Sequence, residues 1–346
     1  MLAIAVAAVL PFAGPVAITE EHPERQPART EAAADALMGF YNQETGLWDT
    51  TGWWNSANAM TAMLDYWTRT GTAEHREAIA NTFEKNGADD FTNEYLDDTG
   101  WWGLAWVRAY DLTGEQRYLE MAERTAAHMN DYRDDVCGGG VWWRTDKTYK
   151  NAVTNELFIK LSASLHNRIP GDTAHLQRAQ ETWQWFQDSG MINQGNLIND
   201  GLELETCQNN GDTTWTYNQG IILGALVELS EATGDAGLLD RARELADASS
   251  SAPALNPHGI LREPCEDGDC GGDGPSFKGV YARNLGELDR SLDGRPYQDY
   301  LRRQVETMNA KNRNDANQFG LHWNGPFDSA DAARQHSALD AHVAAL

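Results

Sequence analysis

The sequence predicts an all-α protein, an (α/α)6 barrel with six inner and six outer helices. Three observations carry that prediction. A polar, glycine-containing helix-start pattern recurs at Thr70-Gly71-Thr72, Thr113-Gly114-Glu115, Pro170-Gly171-Asp172, Thr233-Gly234-Asp235 and Asp293-Gly294-Arg295. Each glycine can close the preceding helix in a left-handed cap, and the polar residues after it start another. Between these turns two kinds of helical segment alternate: one is apolar nearly all round and buries itself, the other has a single apolar stripe and lies outside. No strand-rich block interrupts the alternation.

Taken in order, the striped segments are residues 28–41, 74–86, 115–130, 174–188, 238–250 and 297–310. The apolar ones are 53–68, 100–112, 152–166, 215–232, 277–288 and 332–346. Ile221, Ile222, Ala225, Leu226 and Leu229 show the helical spacing of the buried class clearly. A helical solenoid is the structural alternative, but it would not bring the loops before the apolar helices together at one end. Those loops are rich in Trp, Asp, Asn and Gly: residues 51–58, 95–102, 137–143, 198–202 with 213–219, 277–279 and 320–325. In a barrel they open on one face as a cleft of aromatic platforms and neutral hydrogen-bonding groups. Such a lining suits sugar rings and hydroxyls.

Composition narrows the function. The formal net charge is −25, which repels phosphate backbones and argues against nucleic acid or anionic membranes as partners. The 13 Trp exceed what a core needs, although plain core filling accounts for more than half of them. Residues 1–16 are apolar with small side chains and too short, with Pro11 and Pro15, for a membrane span. We therefore expect a signal peptide and flexible N-terminal segment over 1–27, one catalytic domain over 28–346, and a secreted monomer. Four cysteines allow two bridges; Cys265 and Cys270 flank a short Gly-containing loop and are the favoured pair, leaving Cys137 with Cys207. The acidic stretch 266–273 does not match the helical calcium loop, so no metal and no cofactor is expected.

The chemistry centres on Asp97 and Asp98, side by side before a helix expected to start near Gly100. N-capping and the helix dipole explain such acids ordinarily. Hydrolysis of a glycosidic bond, however, needs two carboxyl groups, and neighbours on an irregular loop can approach to about 5–5.5 Å. Two close anions also push their pKa values apart. The pairs Asp89-Asp90 and Asp134-Asp135 follow outer helices and read as solvated loop charge or caps. Glu156 on an inner helix reads as a satisfied core charge, and Asp200 as either a hydroxyl binder or a turn residue before Gly201.

These motifs resemble one family. Trp53-Trp-Asn-Ser-Ala-Asn58, Asp97-Asp-Thr-Gly-Trp-Trp102, Cys137-Gly-Gly-Gly-Val-Trp-Trp143, Asn199-Asp-Gly201, Thr214-Trp-Thr-Tyr-Asn-Gln-Gly220 and Phe277-Lys-Gly279 resemble glycoside hydrolase family 76, the endo-α-1,6-mannanases and related fungal proteins, from about Ala34 to the C-terminus. The resemblance implies the (α/α)6 fold, retention of configuration and an α-1,6-linked mannose substrate. It makes Asp97 the nucleophile and Asp98 the acid/base, with Asn58, Asp200, Trp215, Tyr217 and Gln219 as subsite residues. Trp54, Tyr95, Trp142 and Lys278, on the same loops, complete the candidate sugar-binding set. The paired cysteines and the Phe277-Lys278-Gly279 loop resemble the fungal branch, which adds mannosyl transfer in a cell wall or glycan anchor as an alternative to hydrolysis. A non-catalytic mannan-binding protein is a second alternative. Terpene cyclisation is disfavoured by the hydroxyl partners Asn58, Asn199, Thr214, Asn218 and Gln219.

Overall fold

A computed structural model describes residues 25–346. The export signal expected within 1–27 lies outside them, except that Arg25, Gln26 and Pro27 open the first helix. Twelve α-helices are present among the described residues. The outer ones are α1 (Arg25–Met38), α3 (Glu77–Asn86), α5 (Gln116–Asn130), α7 (Ala174–Asp188), α9 (Gly237–Ser251) and α11 (Gln298–Lys311). The inner ones are α2 (Trp53–Thr70), α4 (Leu96–Thr113), α6 (Ala152–Arg168), α8 (Thr216–Thr233), α10 (Gly274–Ser291) and α12 (Ala332–Ala344). Each inner helix packs on the next, and α12 packs on α2, so the ring closes. This is the predicted (α/α)6 barrel.

The turn glycines do what their position requires. Gly71, Gly114, Gly171, Gly234 and Gly294 have φ between 71° and 78°, a region that side chains with a Cβ rarely occupy. Two other glycines set helix spacing. A Cβ on Gly220 would lie 2.5 Å from the Tyr281 Cα, and one on Gly279 would lie 2.3 Å from the Ser337 Cα. Backbones of α8 and α10, and of α10 and α12, therefore touch where a side chain would hold them apart.

Where the structure departs from the sequence reading, hydrogen bonds explain it. Helix α4 starts at Leu96, not near Gly100: the Leu96 N–H donates to the Trp143 carbonyl and the Thr99 N–H to the Tyr95 carbonyl. Asp97 and Asp98 are thus in the first helical turn rather than on an irregular loop. Two short antiparallel hairpins also decorate the loops, β1 (Tyr41–Asn42) with β2 (Leu47–Trp48), and β3 (Leu202–Glu203) with β4 (Gln208–Asn209). Both expected disulfides form: Cys137–Cys207 ties the strip after α5 to the second hairpin, and Cys265–Cys270 closes the loop before α10. No helix among the described residues is long and apolar enough to cross a membrane.

The tryptophans divide between core and cleft. Trp102 and Trp106 are fully buried, stacked on each other with Phe91 and Tyr118 against the outer wall. The far end of the barrel axis is closed by ions: Arg108 bonds Asp65 and Glu287, Lys160 bonds Glu287 and Asn284, and Arg283 bonds Asp340. Burial alone would raise the Glu287 carboxyl, but Lys160 and Arg108 outweigh it and pull it down to about 2.

The helix spacing is directly testable. Gly279→Ala should destabilise the protein by about 1–3 kcal/mol through overpacking of α10 on α12. Gly272→Ala, where nothing lies within 4 Å of the new Cβ, should unfold at nearly the wild-type denaturant concentration.

Candidate active site

All six inner helices begin on one face, and the starts of α2, α4, α6, α8 and α10 surround an open cavity of about 200 Å³. Its lining includes Asp97 and Trp101 from α4, Trp54 from α2, Phe277 and Asp273 from the start of α10, and Tyr217 from α8. The strip before α6 adds Trp143, Tyr149 and Asn151, α6 adds Val153, and the loop before β3 adds Asp200. Rings form a continuous wall. Trp54 stacks on Trp101 with centroids 5.6 Å apart and on Phe277 at 6.0 Å, while Phe277 stacks on Tyr217 at 4.1 Å.

Of the two acids, Asp97 lines this cavity and Asp98, the next residue of α4, is not among its lining residues. Successive helical residues diverge by about 100° around the axis. Asp97 is a lining residue; its Oδ2 accepts the Trp143 indole N–H at 3.1 Å, and its buried Oδ1 has no protein partner. Asp98 accepts the Asn93 amide at 2.7 Å. Burial raises the Asp97 carboxyl well above its usual value, and the Asp98 charge raises it further, against the Trp143 bond. Burial likewise raises Asp98, to about 6, with the Asn93 bond opposing and Asp273 assisting. The wall beside them is acidic too. Asp200 accepts the Tyr149 hydroxyl at 2.7 Å, and burial raises it.

Comparison with known proteins now decides the family. A family model, Glycosyl hydrolase family 76, matches residues 27–346. The chain belongs to glycosyl hydrolase family 76. Among curated relatives, mannan endo-1,6-alpha-mannosidase DFG5 of Candida albicans is 27% identical over 74% of this chain, and DCW1 of Saccharomyces cerevisiae is 28% identical over 74%. The matches span 64% and 63% of those two proteins, so the chain covers less than two thirds of their length. The structure of the GH76A alpha-1,6-mannanase of Salegentibacter sp. superposes with a TM-score of 0.83 at 25% identity, over 92% of this chain and 98% of that one. A variant of that mannanase with two consecutive aspartates changed to asparagine is described as inactive and is in complex with alpha-1,6-mannotriose. Dfg5 of Chaetomium thermophilum, at 20% identity, shares the fold with a TM-score of 0.84 over 95% of this chain and 92% of that one.

Within this family member, the sequence-derived candidates fall into two groups. Asp97, Trp54, Asp200 and Tyr217 line the cavity. Around it, Trp215 caps α8 with its ring edge-on to Phe277 at 5.7 Å, and Tyr95 caps α4 behind Trp143, at 5.2 Å. Four candidates are instead placed in the supporting framework. Asn58 accepts from Arg283 and donates to the Trp54 carbonyl. Gln219 is saturated by the Ile198 backbone and the Trp215 carbonyl. Lys278 is buried, bonded to Glu266 and the Leu321 carbonyl. Trp142 donates to Asp134 at 2.7 Å beneath the Lys150 ammonium, facing away from Asp97. Its neighbour Trp143 takes the position at the acids.

The acids read as background also needed revision. Asp134 is an anchor: desolvation is outweighed by Trp142 and Lys150, which hold its carboxyl well below the usual range. Glu156 is no satisfied charge. It is fully buried, both oxygens lack protein partners, and burial with the Asp200 charge raises it well above the ordinary carboxyl range. Burial without a partner favours its protonated form. In the stretch 266–273, Glu266 meets Lys278, Asp267 meets Arg262 and Asp273 meets Trp54. Sequence reasoning missed Tyr149, Asn151, Val153 and Asp273; alternation along 142–149 was the one signal available for any of them.

Raised carboxyls carry a stability cost with a definite sign. Asp98 binds its proton more tightly folded than unfolded, so its contribution is fully present below about pH 4 and lost as pH rises through about 6. Asp98→Asn should therefore match the wild type in urea unfolding at pH 4 and resist urea better than wild type at pH 8.

Proposed function

We propose that this chain is a secreted, retaining endo-α-1,6-mannanase. The observation that carries the reading is the pair Asp97 and Asp98, consecutive in the first turn of α4, with Asp97 lining an aromatic-walled cavity and Trp143 bonded to it. The inactive double-asparagine variant of the Salegentibacter mannanase, with its bound mannotriose, supports the same assignment. Two disulfides fit an oxidising, extracellular setting.

The residues divide the chemistry as follows. Asp98, protonated, gives its proton to the glycosidic oxygen as the C1–O bond breaks, and the shortened mannan leaves as an alcohol. Asp97, which lines the cavity, attacks C1 through a carboxylate oxygen and forms a mannosyl ester, while the Trp143 indole N–H orients the carboxylate. Asp98, now ionised, takes a proton from water; that water attacks C1, the ester bond breaks, and Asp97 is regenerated as a carboxylate. Two displacements return the α-configuration. The Trp143 N–H favours the charged, attacking form of Asp97, against burial and the Asp98 charge, which raise it. Trp54, Trp101 and Phe277 supply faces for the rings, and Asp200 with Tyr149 supplies hydroxyl partners.

Debranched α-1,6-mannan tests the reading. Wild-type protein should release short oligomers, and Asp97→Asn or Asp98→Asn should slow release by about a thousandfold. Elongated products would assign transfer instead. Tight binding without any change in polymer length, in wild type and variants alike, would make the protein a mannan-binding module.

A further inference from the structure

The disulfide-closed acidic loop before α10 has no part in the mechanism so far, yet it ends on the cleft. Cys265 and Cys270 bridge the loop, and the bridge packs against the next turn of chain: a Cβ on Gly274 would lie 2.7 Å from the Cys270 Cβ and 3.0 Å from the Cys265 Sγ. The Gly274 N–H donates to the Cys270 carbonyl at 3.0 Å. The loop is anchored from below as well. Glu263 accepts the Thr216 N–H at the start of α8, and Glu266 receives Lys278. The residue this scaffold presents, immediately before Gly274, is Asp273, the N-cap position of α10 and a wall of the cavity.

Asp273 reaches across the barrel mouth. Its Oδ1 accepts the Trp54 indole N–H at 2.8 Å, and beneath this bond the Asn55 amide donates to the Ser276 hydroxyl at 2.8 Å. Helices α2 and α10 flank α12, so the two bonds clasp the cleft over the end of α12. The clasp also fixes a ring: Trp54 is held at its N–H end by Asp273 and on its faces by Trp101 and Phe277. Trp54 could not rotate without breaking all three contacts.

We propose that Asp273 is a positioning residue for glycosidic cleavage: it locks Trp54 as a sugar platform and acts on Asp98 as the acid of the pair. This rests on the mannanase reading above. Asp98 is faced by Asp97 on its own helix, by the Asn93 amide from the preceding loop and by Asp273 from α10. Asp200, Tyr149, Glu156 and Tyr217 gather on the Asp97 side of the cavity, and Arg144 is bound to Glu94 over the face of Tyr95. The charge set against Asp98 from the opposite wall is therefore the Asp273 carboxylate, which favours the protonated, proton-donating state.

Two substitutions separate the roles. Asp273→Asn keeps an oxygen for the Trp54 N–H and removes the charge. It should leave KM within about twofold of wild type while moving the alkaline limb of the kcat profile on α-1,6-mannan to lower pH. Asp273→Ala removes both, so KM should rise about tenfold in addition, and the Trp54 indole N–H resonance should shift in the NMR spectrum. A 13C-detected titration of the Asp98 carboxyl reads the same effect without turnover and should move down in both variants. An unmoved Asp98 titration in Asp273→Asn, or an unmoved Trp54 resonance in Asp273→Ala, would overturn the proposal. Wild-type protein that leaves mannan intact, with both spectroscopic shifts present, would instead count against the mannanase reading and leave this geometry standing.

Discussion

Two half-buried carboxyl groups without a cationic partner, at the start of α4, are the constraint on which the rest of the site depends. Neither acid has a cation against it; Asp97 has one indole N–H and Asp98 one amide. Water normally disperses such charges, and apolar walls around them reduce that screening. The ring wall of Trp101, Trp54, Phe277 and Tyr217 supplies such a wall, and it stands because the starts of α4, α2, α10 and α8 converge on one face. Convergence in turn needs close helix crossings, which is where Gly220 and Gly279 enter. From glycine spacing to proton affinity the chain of cause is continuous.

The barrel axis handles polar groups in two opposite ways. At the far end, acids and bases are matched, as in Arg108 with Asp65 and Glu287, so buried charge is kept as charge. At the cleft end Asp97, Asp98 and Glu156 have no cationic partner, and burial raises their proton affinity. Glu156 belongs to the second regime: it is buried, both its oxygens lack partners, and its carboxyl is raised. Lys160 follows it by one turn on α6 and lies in the first regime, paired to Glu287. One helical turn therefore separates chemistry from structural support.

The architecture was legible because it rests on periodicities. Apolar faces, turn glycines and cysteine spacing are local patterns, and the helix order, the ring and both disulfides followed from them. The acid pair stood out as a candidate beside an aromatic inner helix, and the structure sets both acids in that helix's first turn. Side-chain direction was harder. Trp142 and Trp143 differ by one residue in an extended strip, where neighbours face opposite ways. Only tertiary partners, Asp134 for one and Asp97 for the other, decide which ring meets the cleft. Asn58, Gln219 and Lys278 sit on cleft-end helices, but their partners come from distant segments, Arg283, Ile198 and Glu266 respectively. Asp273 was hidden for the converse reason. It looked like one more charge in an acidic loop, and only its contact with Trp54, far away in sequence, gives it a place.

The most direct measurement is to trap the covalent step. A mannosyl fluoride carrying a 2-fluoro substituent, which slows release of the ester more than its formation, should inactivate the protein with a mass increase of one fluoromannosyl unit. Peptide mapping should place that unit on Asp97. Attachment to Asp98 or Asp273, or inactivation without any adduct, would contradict the account of how this cleft breaks a mannosidic bond.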